Sequence, residues 1–166
     1  TVTYKYKLNG AEDKTYSAEV PTAAGTYVVK AEIAGTTNYN AGTAEKEFTV
    51  AKKPLKITAD KAGKVYGTAD PALTYTLEGT LVGEDTITGS LTREKGDNTG
   101  EYTIGQGTLT AGDNYAIEFV SDKFTVTPAA FNISASGYSG AYDGKDHGIA
   151  ASSDVEDAKV YYLVSD

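Results

Sequence analysis

The chain has 166 residues, a formal net charge of −8 and no cysteine, so disulfides, zinc–thiolate clusters and thiol nucleophiles are excluded. Its lysines are scattered and it has a single arginine, Arg93, whereas nucleic-acid binding requires clustered basic residues. No apolar run approaches the roughly 20 residues of a membrane helix. The composition therefore argues against nucleic-acid-binding and membrane-spanning proteins. It also fits a chain of one or two domains.

The first stretch of the chain is predicted to form strands that each have one polar face. Apolar and polar residues alternate from Val2 to Leu8, and Asn9-Gly10 then favours a turn. A second strand is predicted from Tyr27 to Ile33. After a turn over 35–42, a third strand is predicted from Glu45 to Val50.

The middle of the chain continues the same alternation after the junction Ala51-Lys52-Lys53-Pro54. The segment 79–85 is predicted to be a loop with one helical turn at Leu81-Val82. A tight turn at Ser121-Asp122 is predicted to join the last two strands. The strands predicted here cover 55–59, 73–78, 87–93, 102–104, 115–120 and 123–127. Beyond Pro128, strands are predicted at 131–135 and 160–164.

Short strands of period two, rich in Thr, Tyr and Val and separated by Gly, Asn and Asp, predict an all-β fold. We expect tandem Ig-like β-sandwich beads. The alternative is a β-grasp bead, in which the segment 79–85 is a helix packed on one sheet. A structure with that packed helix would exclude the sandwich.

A period of about 76 residues divides the chain into repeated units. Asn38-Tyr39 lies 76 residues before Asn114-Tyr115, and Phe48 lies 76 before Phe124. Leu55 and Ile57 recur in the same way as Phe131 and Ile133. The period predicts a closing part of one repeat at 1–52 (the first unit), a complete repeat at 53–128 (the central unit) and an opening half at 129–166 (the third unit).

Several motifs of the central unit resemble those of one family. They are Val-Tyr-Gly-Thr-Ala-Asp-Pro-Ala-Leu at 65–73, Gly-Glu-Asp-Thr at 83–86, Thr-Gly-Glu-Tyr at 99–102 and Asn-Tyr at 114–115. They resemble the MBG-type module, in its Tyr-Gly-X variety, of bacterial adhesins. Ala-Tyr-Asp-Gly-Lys at 141–145 is similar to the opening of the sister YDG-type module, and 25–50 to the closing half of such a module or of a bacterial Ig-like one. The resemblance implies a tandem, non-catalytic repeat of a secreted protein at the bacterial cell surface.

His147, the only histidine, has Ser139, Asp143 and Asp146 near it in sequence. A catalytic triad or a metal site can be built from such residue types. However, the corresponding loop of the central unit, at 66–70, has no histidine and different acids. A structural loop is therefore the better interpretation, and no catalytic, cofactor-binding or metal-binding residue is assigned.

Other candidate sites also have ordinary structural explanations. Acidic loops at Asp97-Asn98, Asp113-Asn114 and Asp143/Asp146 carry oxygen ligands that suit calcium, but Asx turns account for the same residues. Gly105-Gln106-Gly107 lacks the third glycine and the following helix of a dinucleotide loop, and predicts a turn or bulge. Lys56 and Asn132, a conceivable isopeptide pair, fall at equivalent places in separate units.

Tyrosine occurs thirteen times and tryptophan is absent. Most tyrosines fall on the apolar faces of the predicted strands, so core packing is expected for most of them. Tyr27 and Tyr102 each follow a glycine closely and resemble the tyrosine corner of Greek-key sandwiches. Each is therefore expected to be buried, with its hydroxyl bonded to the backbone.

Two functions from different classes remain. The first is a structural stalk or spacer in an adhesin, and the alternative is a module that binds a host glycan, a mucin or another protein ligand. The expected partners are neighbouring repeats of the same protein. Because half-units leave apolar faces and sheet edges open to water, we also expect head-to-tail strand exchange between chains. An enzyme is not expected.

Overall fold

In the computed structural model, which describes residues 1–155, 159 and 161, the regular structure is strand except for one 3-10 turn at Asp13–Thr15. The all-β prediction is confirmed. The strands of the described residues are β1 (Val2–Leu8), β2 (Gly25–Ile33), β3 (Gly42–Val50), β4 (Lys53–Ala59), β5 (Ala62–Val65), β6 (Tyr75–Glu78), β7 (Thr92–Arg93), β8 (Gly100–Gly105), β9 (Tyr115–Val120), β10 (Asp122–Thr127), β11 (Ile133–Ser136) and β12 (Ala150–Ser153).

The first unit is an antiparallel sheet of order β1-β2-β3. Leu8 pairs with Tyr27, and Tyr27 pairs with Phe48, so three apolar residues lie side by side on one face. Strand β3 begins three residues before the predicted Glu45, because Gly42 still pairs with Ile33. Tyr27 is buried, but the same face is largely open to water, with Tyr4 54% exposed.

The central unit consists of two sheets packed face to face. One has the order β5-β10-β8-β7 and the other β6-β4-β9. Their facing side chains form one core cluster, so this unit is a β-sandwich. The segment 79–85 is a loop with a turn at Gly83-Glu84, not the packed helix of the β-grasp alternative. The buried members of the cluster are Ile57, Ala59, Leu91, Ile104, Leu109, Phe124 and Val126.

The strand prediction was wrong in two places in the central unit. Strand β5 was missed; it pairs in parallel with β10, where a Cβ on Gly63 would lie 2.5 Å from the carbonyl oxygen of Thr125. The strand predicted over 87–93 is interrupted and leaves only β7 and a bridge at Thr88. The interruption falls at Gly89, which has φ +84° and lies against the backbone of Thr108.

The connection at Ser121 carries the chain from one sheet to the other. Strand β9 pairs in parallel with β4, whereas β10 pairs with β8 and β5 in the opposite sheet. The two strands are consecutive in sequence but are not hydrogen-bonded neighbours. Both nevertheless contribute to the same core, because Phe119 packs against the cluster that contains Phe124.

The third unit is represented by the antiparallel pair β11–β12. Strand β11 overlaps the predicted strand at 131–135, beginning two residues later and ending one residue beyond it, whereas β12 was not predicted. The side chains of Phe131 and Ile133 are exposed. Apart from residue 161, the strand predicted over 160–164 lies outside the described residues.

The buried core predicts that two substitutions in the central unit differ strongly in their effect on the free energy of unfolding. Phe124 is completely buried, and its truncation in Phe124→Ala should lower the free energy of unfolding by about 3–5 kcal/mol. Thr103→Ala, at an exposed position of β8, should change it by less than about 0.5 kcal/mol. Urea unfolding followed by circular dichroism measures both. Equal urea midpoints for the two variants would contradict the core assignment.

Candidate functional site

Arg93 is the centre of an ionic cluster at one end of the central sandwich. It lies at the end of β7 and its side chain is only 12% exposed. Its Nε donates to Oδ2 of Asp70 at 2.5 Å and its Nη2 to Oδ1 of the same carboxylate at 3.0 Å. This is the bidentate arrangement that a planar guanidinium makes and a lysine cannot.

Lys64 and Asp97 complete the cluster. The Nζ of Lys64, whose side chain is 8% exposed, lies 2.8 Å from both Asp70 and Asp97. Arg93 also approaches Asp97 at 3.3 Å and donates to the backbone carbonyls of Glu94 and Gly96. Two cations and two carboxylates thus balance, and they hold the loop after Gly67 and the loop after β7 against the sheet.

The pKa shifts within the cluster all favour the charged forms. Hydrogen bonds from Arg93, and then from Lys64, hold the pKa of Asp70 well below its usual range. A hydrogen bond from Lys64 likewise lowers the pKa of Asp97, and the bond to Asp70 raises the pKa of Lys64. These three groups stay ionised at neutral pH, so they suit a structural ion-pair cluster and not general acid–base catalysis.

The guanidinium of Arg93 also lies over two aromatic rings. Its Cζ is 4.7 Å from the ring centroid of Phe124 and 5.3 Å from that of Tyr102. Cation–π attraction at such distances adds to the packing of the sheet end. The cluster therefore joins the loops to the hydrophobic core directly.

The two tyrosine corners predicted from sequence have similar geometry. The hydroxyl of Tyr102 donates to the carbonyl of Asn98 at 2.8 Å, and that of Tyr27 donates to the carbonyl of Ala23 at 3.0 Å. Each acceptor lies four residues before its tyrosine. Both predicted backbone bonds are confirmed. Tyr27 is buried, as predicted, whereas Tyr102 is only half-buried.

Tyr115 fastens a second loop of the central unit. Its hydroxyl donates to Oδ2 of Asp85 at 2.7 Å and accepts the backbone N–H of Val82 at 2.8 Å. Burial, reinforced by the Asp85 carboxylate, raises the pKa of the Tyr115 phenol. The Gly-Glu-Asp-Thr and Asn-Tyr motifs, far apart in sequence, thus act on the same loop.

Asn114 connects the first unit to the central unit. Its side-chain Oδ1 accepts the N–H of Ala24 at 2.9 Å, and its backbone oxygen accepts the N–H of Lys53 at 2.9 Å. Sequence reasoning placed Asn114 in an acidic loop and missed this role. No local pattern signals it, because Ala24 lies 90 residues away in sequence.

His147 lies in a loop, not in a cleft. Its ring stacks on Tyr138 with centroids 3.5 Å apart, and its Nε2 lies 2.7 Å from Oδ1 of Asp143. The same Asp143 oxygen accepts the N–H of Lys145, as in an Asx turn. Within the described residues, no group of three or more His, Asp and Glu side chains is arranged to hold a metal ion.

The remaining sequence candidates are kept apart or engaged elsewhere. The backbone carbonyl of Gln106 accepts the N–H of Leu109, so the chain makes the predicted turn directly after β8. Lys56 bonds Glu78 in the central unit, whereas Asn132 bonds Asp154 in the third unit. Each side chain of the conceivable isopeptide pair therefore has its own partner.

The expectation that most tyrosines lie in the core is wrong. Six of the described tyrosines are exposed, and they are distributed over all three units. A shallow groove of about 530 Å³ beside Arg93 contains one tyrosine, Tyr75, between Leu73 and Leu91. The exposed six are Tyr4, Tyr39, Tyr66, Tyr138, Tyr142 and Tyr161.

The fold and its hydrogen-bonded loops define the class of the central unit: a small β-sandwich module whose distinctive polar residues bond to its own loops. The model of the MBG domain (YGX type) family matches residues 55–125, which lie within the central unit. MBG domains are repeats of surface proteins and are not a known enzyme family. Neither the curated proteins nor the solved structures contain a match to the chain. In the described residues, no helix is long and apolar enough to cross a membrane.

The depressed pKa of Asp70 predicts a specific dependence of stability on acid. Its contribution is present above the pKa of an unfolded aspartate, about 3.9, and is lost as the pH falls through the lower pKa of the folded state. Asp70→Asn should therefore destabilise the protein at neutral pH and reduce the loss of stability on acidification. Urea midpoints measured from neutral to strongly acidic pH test this. Asp113→Asn, outside the cluster, is the matched control and should keep the wild-type profile.

Proposed function

We propose that the chain is a structural stalk or spacer region of a secreted or cell-wall-attached bacterial adhesin, and that it is not catalytic. The observation that carries this proposal is the use of the motif residues. Asp70, Asp85, Tyr102 and Tyr115 all engage groups within the central unit. Side chains that bond to the loops of their own unit stabilise that unit, and a spacer requires such stability.

The junction between the first two units supports the same function. Strand β3 ends at Val50 and β4 begins at Lys53, so only two residues separate the sheets, and Pro54 stiffens the start of β4. Asn114 fastens both Ala24 and Lys53 to the end of the central unit. A short connector with added hydrogen bonds limits the swing between beads, and limited swing extends a stalk.

A host ligand is the alternative function. The groove beside Arg93 presents Tyr75, Pro71 and apolar side chains, which suit the face of a sugar. A glycan and mucin array probed with the full chain separates the two functions. A spacer should give no retention above the array background. Retention that Tyr75→Ala abolishes would instead support ligand binding and overturn the spacer as the whole function.

The junction predicts how one substitution changes the shape of the stalk. Asn114→Ala removes the acceptor of the Ala24 N–H and should widen the distribution of angles between the first and central units. Small-angle X-ray scattering should show a broader distance distribution, while the melting temperature of the central unit changes little. Asn98→Ala is the control, because Asn98 contributes its backbone carbonyl to Tyr102. Identical scattering from the two variants would contradict the role of Asn114.

A further inference from the structure

The first and last segments of the central unit run side by side in the same direction. Strand β4 pairs in parallel with β9 over six residue pairs, beginning at Lys53 with Tyr115. Strand β5 pairs in parallel with β10 over four residue pairs, beginning at Ala62 with Phe124. In both ladders each residue lies 62 positions before its partner. The two ladders together form what we call the terminal strand pair, made of the segments 53–65 and 115–127.

The terminal strand pair keeps its register where it passes from one sheet to the other. Strands β4 and β9 belong to one sheet, and β5 and β10 belong to the opposite sheet. Because the offset is the same on both sides, the two segments cross between the sheets in step. Backbone bonds extend the pair at each end. The N–H of Lys53 donates to the carbonyl oxygen of Asn114 at 2.9 Å, and the N–H of Tyr66 donates to that of Thr127 at 2.8 Å.

Two contacts hold β5 against β10, although β5 has only four residues and lies at the edge of its sheet. A Cβ on Gly63 would lie 2.5 Å from the carbonyl oxygen of Thr125, so a glycine is required for the two backbones to come this close. The Nζ of Lys64, the next residue, bonds the carboxylates of Asp70 and Asp97 in the ionic cluster. The short strand is thus fixed through both its backbone and a side chain.

Tension along the chain reaches the terminal strand pair at its two opposite ends. Residues 51 and 52 join the first unit to the start of β4, and the third unit follows the end of β10. In a parallel pair, the start of one strand and the end of the other lie at opposite ends of the ladder. Force on the two connectors therefore slides the segments past each other and loads their hydrogen bonds together. An antiparallel pair would instead place both force points at one end, where the bonds open one after another.

We propose that the central unit is a force-bearing module whose terminal strand pair resists tension by shear. Forced unfolding is governed by the rate of crossing the unfolding barrier. Extracting β4 or β10 along its axis breaks a whole ladder at once and also removes Ile57 or Phe124 from the core. The barrier in this direction is therefore high. The use of this resistance in a stalk rests on the proposed function, whereas the resistance itself is a property of the unit.

Two attachment geometries on the full chain distinguish shear from stepwise opening. The chain has no cysteine, so a pair of introduced cysteines gives unique attachment points for handles. Ala51→Cys with Ala129→Cys pulls on opposite ends of the terminal strand pair. Ala69→Cys with Ala129→Cys pulls near the ends of β5 and β10, which lie at the same end of their ladder. All three alanines are exposed, so these variants should keep the fold.

Single-molecule force spectroscopy at one pulling speed gives the result. In the shear geometry, opening of the central unit is recognised by a gain in contour length of roughly 200–250 Å, since each released residue spans at most about 3.6 Å. The unfolding force in the shear geometry should be several times the force in the geometry with Ala69→Cys. The reason is that the second geometry opens the ladder one bond at a time.

A substitution at Gly63 tests the close pairing of β5 with β10 in the shear geometry. Gly63→Ala places a Cβ against the backbone of Thr125 and should lower the unfolding force. Gly105→Ala is the matched control and should keep the wild-type force, because a Cβ there meets only Thr92, at 4.0 Å, in the antiparallel pair β7–β8. Circular dichroism confirms that each variant folds before it is pulled. If Gly63→Ala does not fold, the comparison of the two geometries decides alone.

Equal unfolding forces in the two geometries would overturn the proposal. A folded Gly63→Ala variant that keeps the wild-type force, or a loss of force of the same size in Gly105→Ala, would also overturn it. The outcome is separate from that of the glycan and mucin array. Retention on the array would overturn the spacer as the whole function and leave the ratio of the two forces unchanged, whereas equal forces would leave the spacer function in place.

Discussion

The packing of two apolar sheet faces against each other is the constraint on which the rest of this structure depends. A unit of about 76 residues has a small core, and without cysteine no disulfide can stabilise it. Stability therefore relies on packing β4, with Ile57 and Ala59, against Phe124 and Val126.

The ionic cluster complements this packing where the sheets end. Isolated surface ion pairs contribute little to stability, but here Arg93 and Lys64 are largely shielded and share Asp70 and Asp97. The guanidinium also covers Phe124, so the cluster and the core are one contiguous structure. The one arginine of the chain thus holds two loops against the core.

Function follows from how the motif residues are used. In the region 55–125 that matches the MBG family model, the polar motif side chains face their own loops, and Asn114 reaches the neighbouring unit. These contacts support the proposed stalk.

The sequence by itself determined the fold class and the strand faces. Alternation over Val2–Leu8 and Lys53–Ala59 is a local property, since successive side chains in a strand point to opposite faces. The corners at Tyr27 and Tyr102 were also predictable, because their acceptors lie only four residues away.

Only the tertiary structure decided which strands pair and which distant side chains meet. Consecutive β9 and β10 enter different sheets, and β5 pairs with β10 across most of the unit. Arg93 meets Asp70 across 23 residues, and Asn114 meets Ala24 across 90. An alternating pattern tells which face of a strand is apolar but not which strand lies beside it. Which strands pair depends on how all the apolar faces pack around one core. That packing exists only in the folded sandwich.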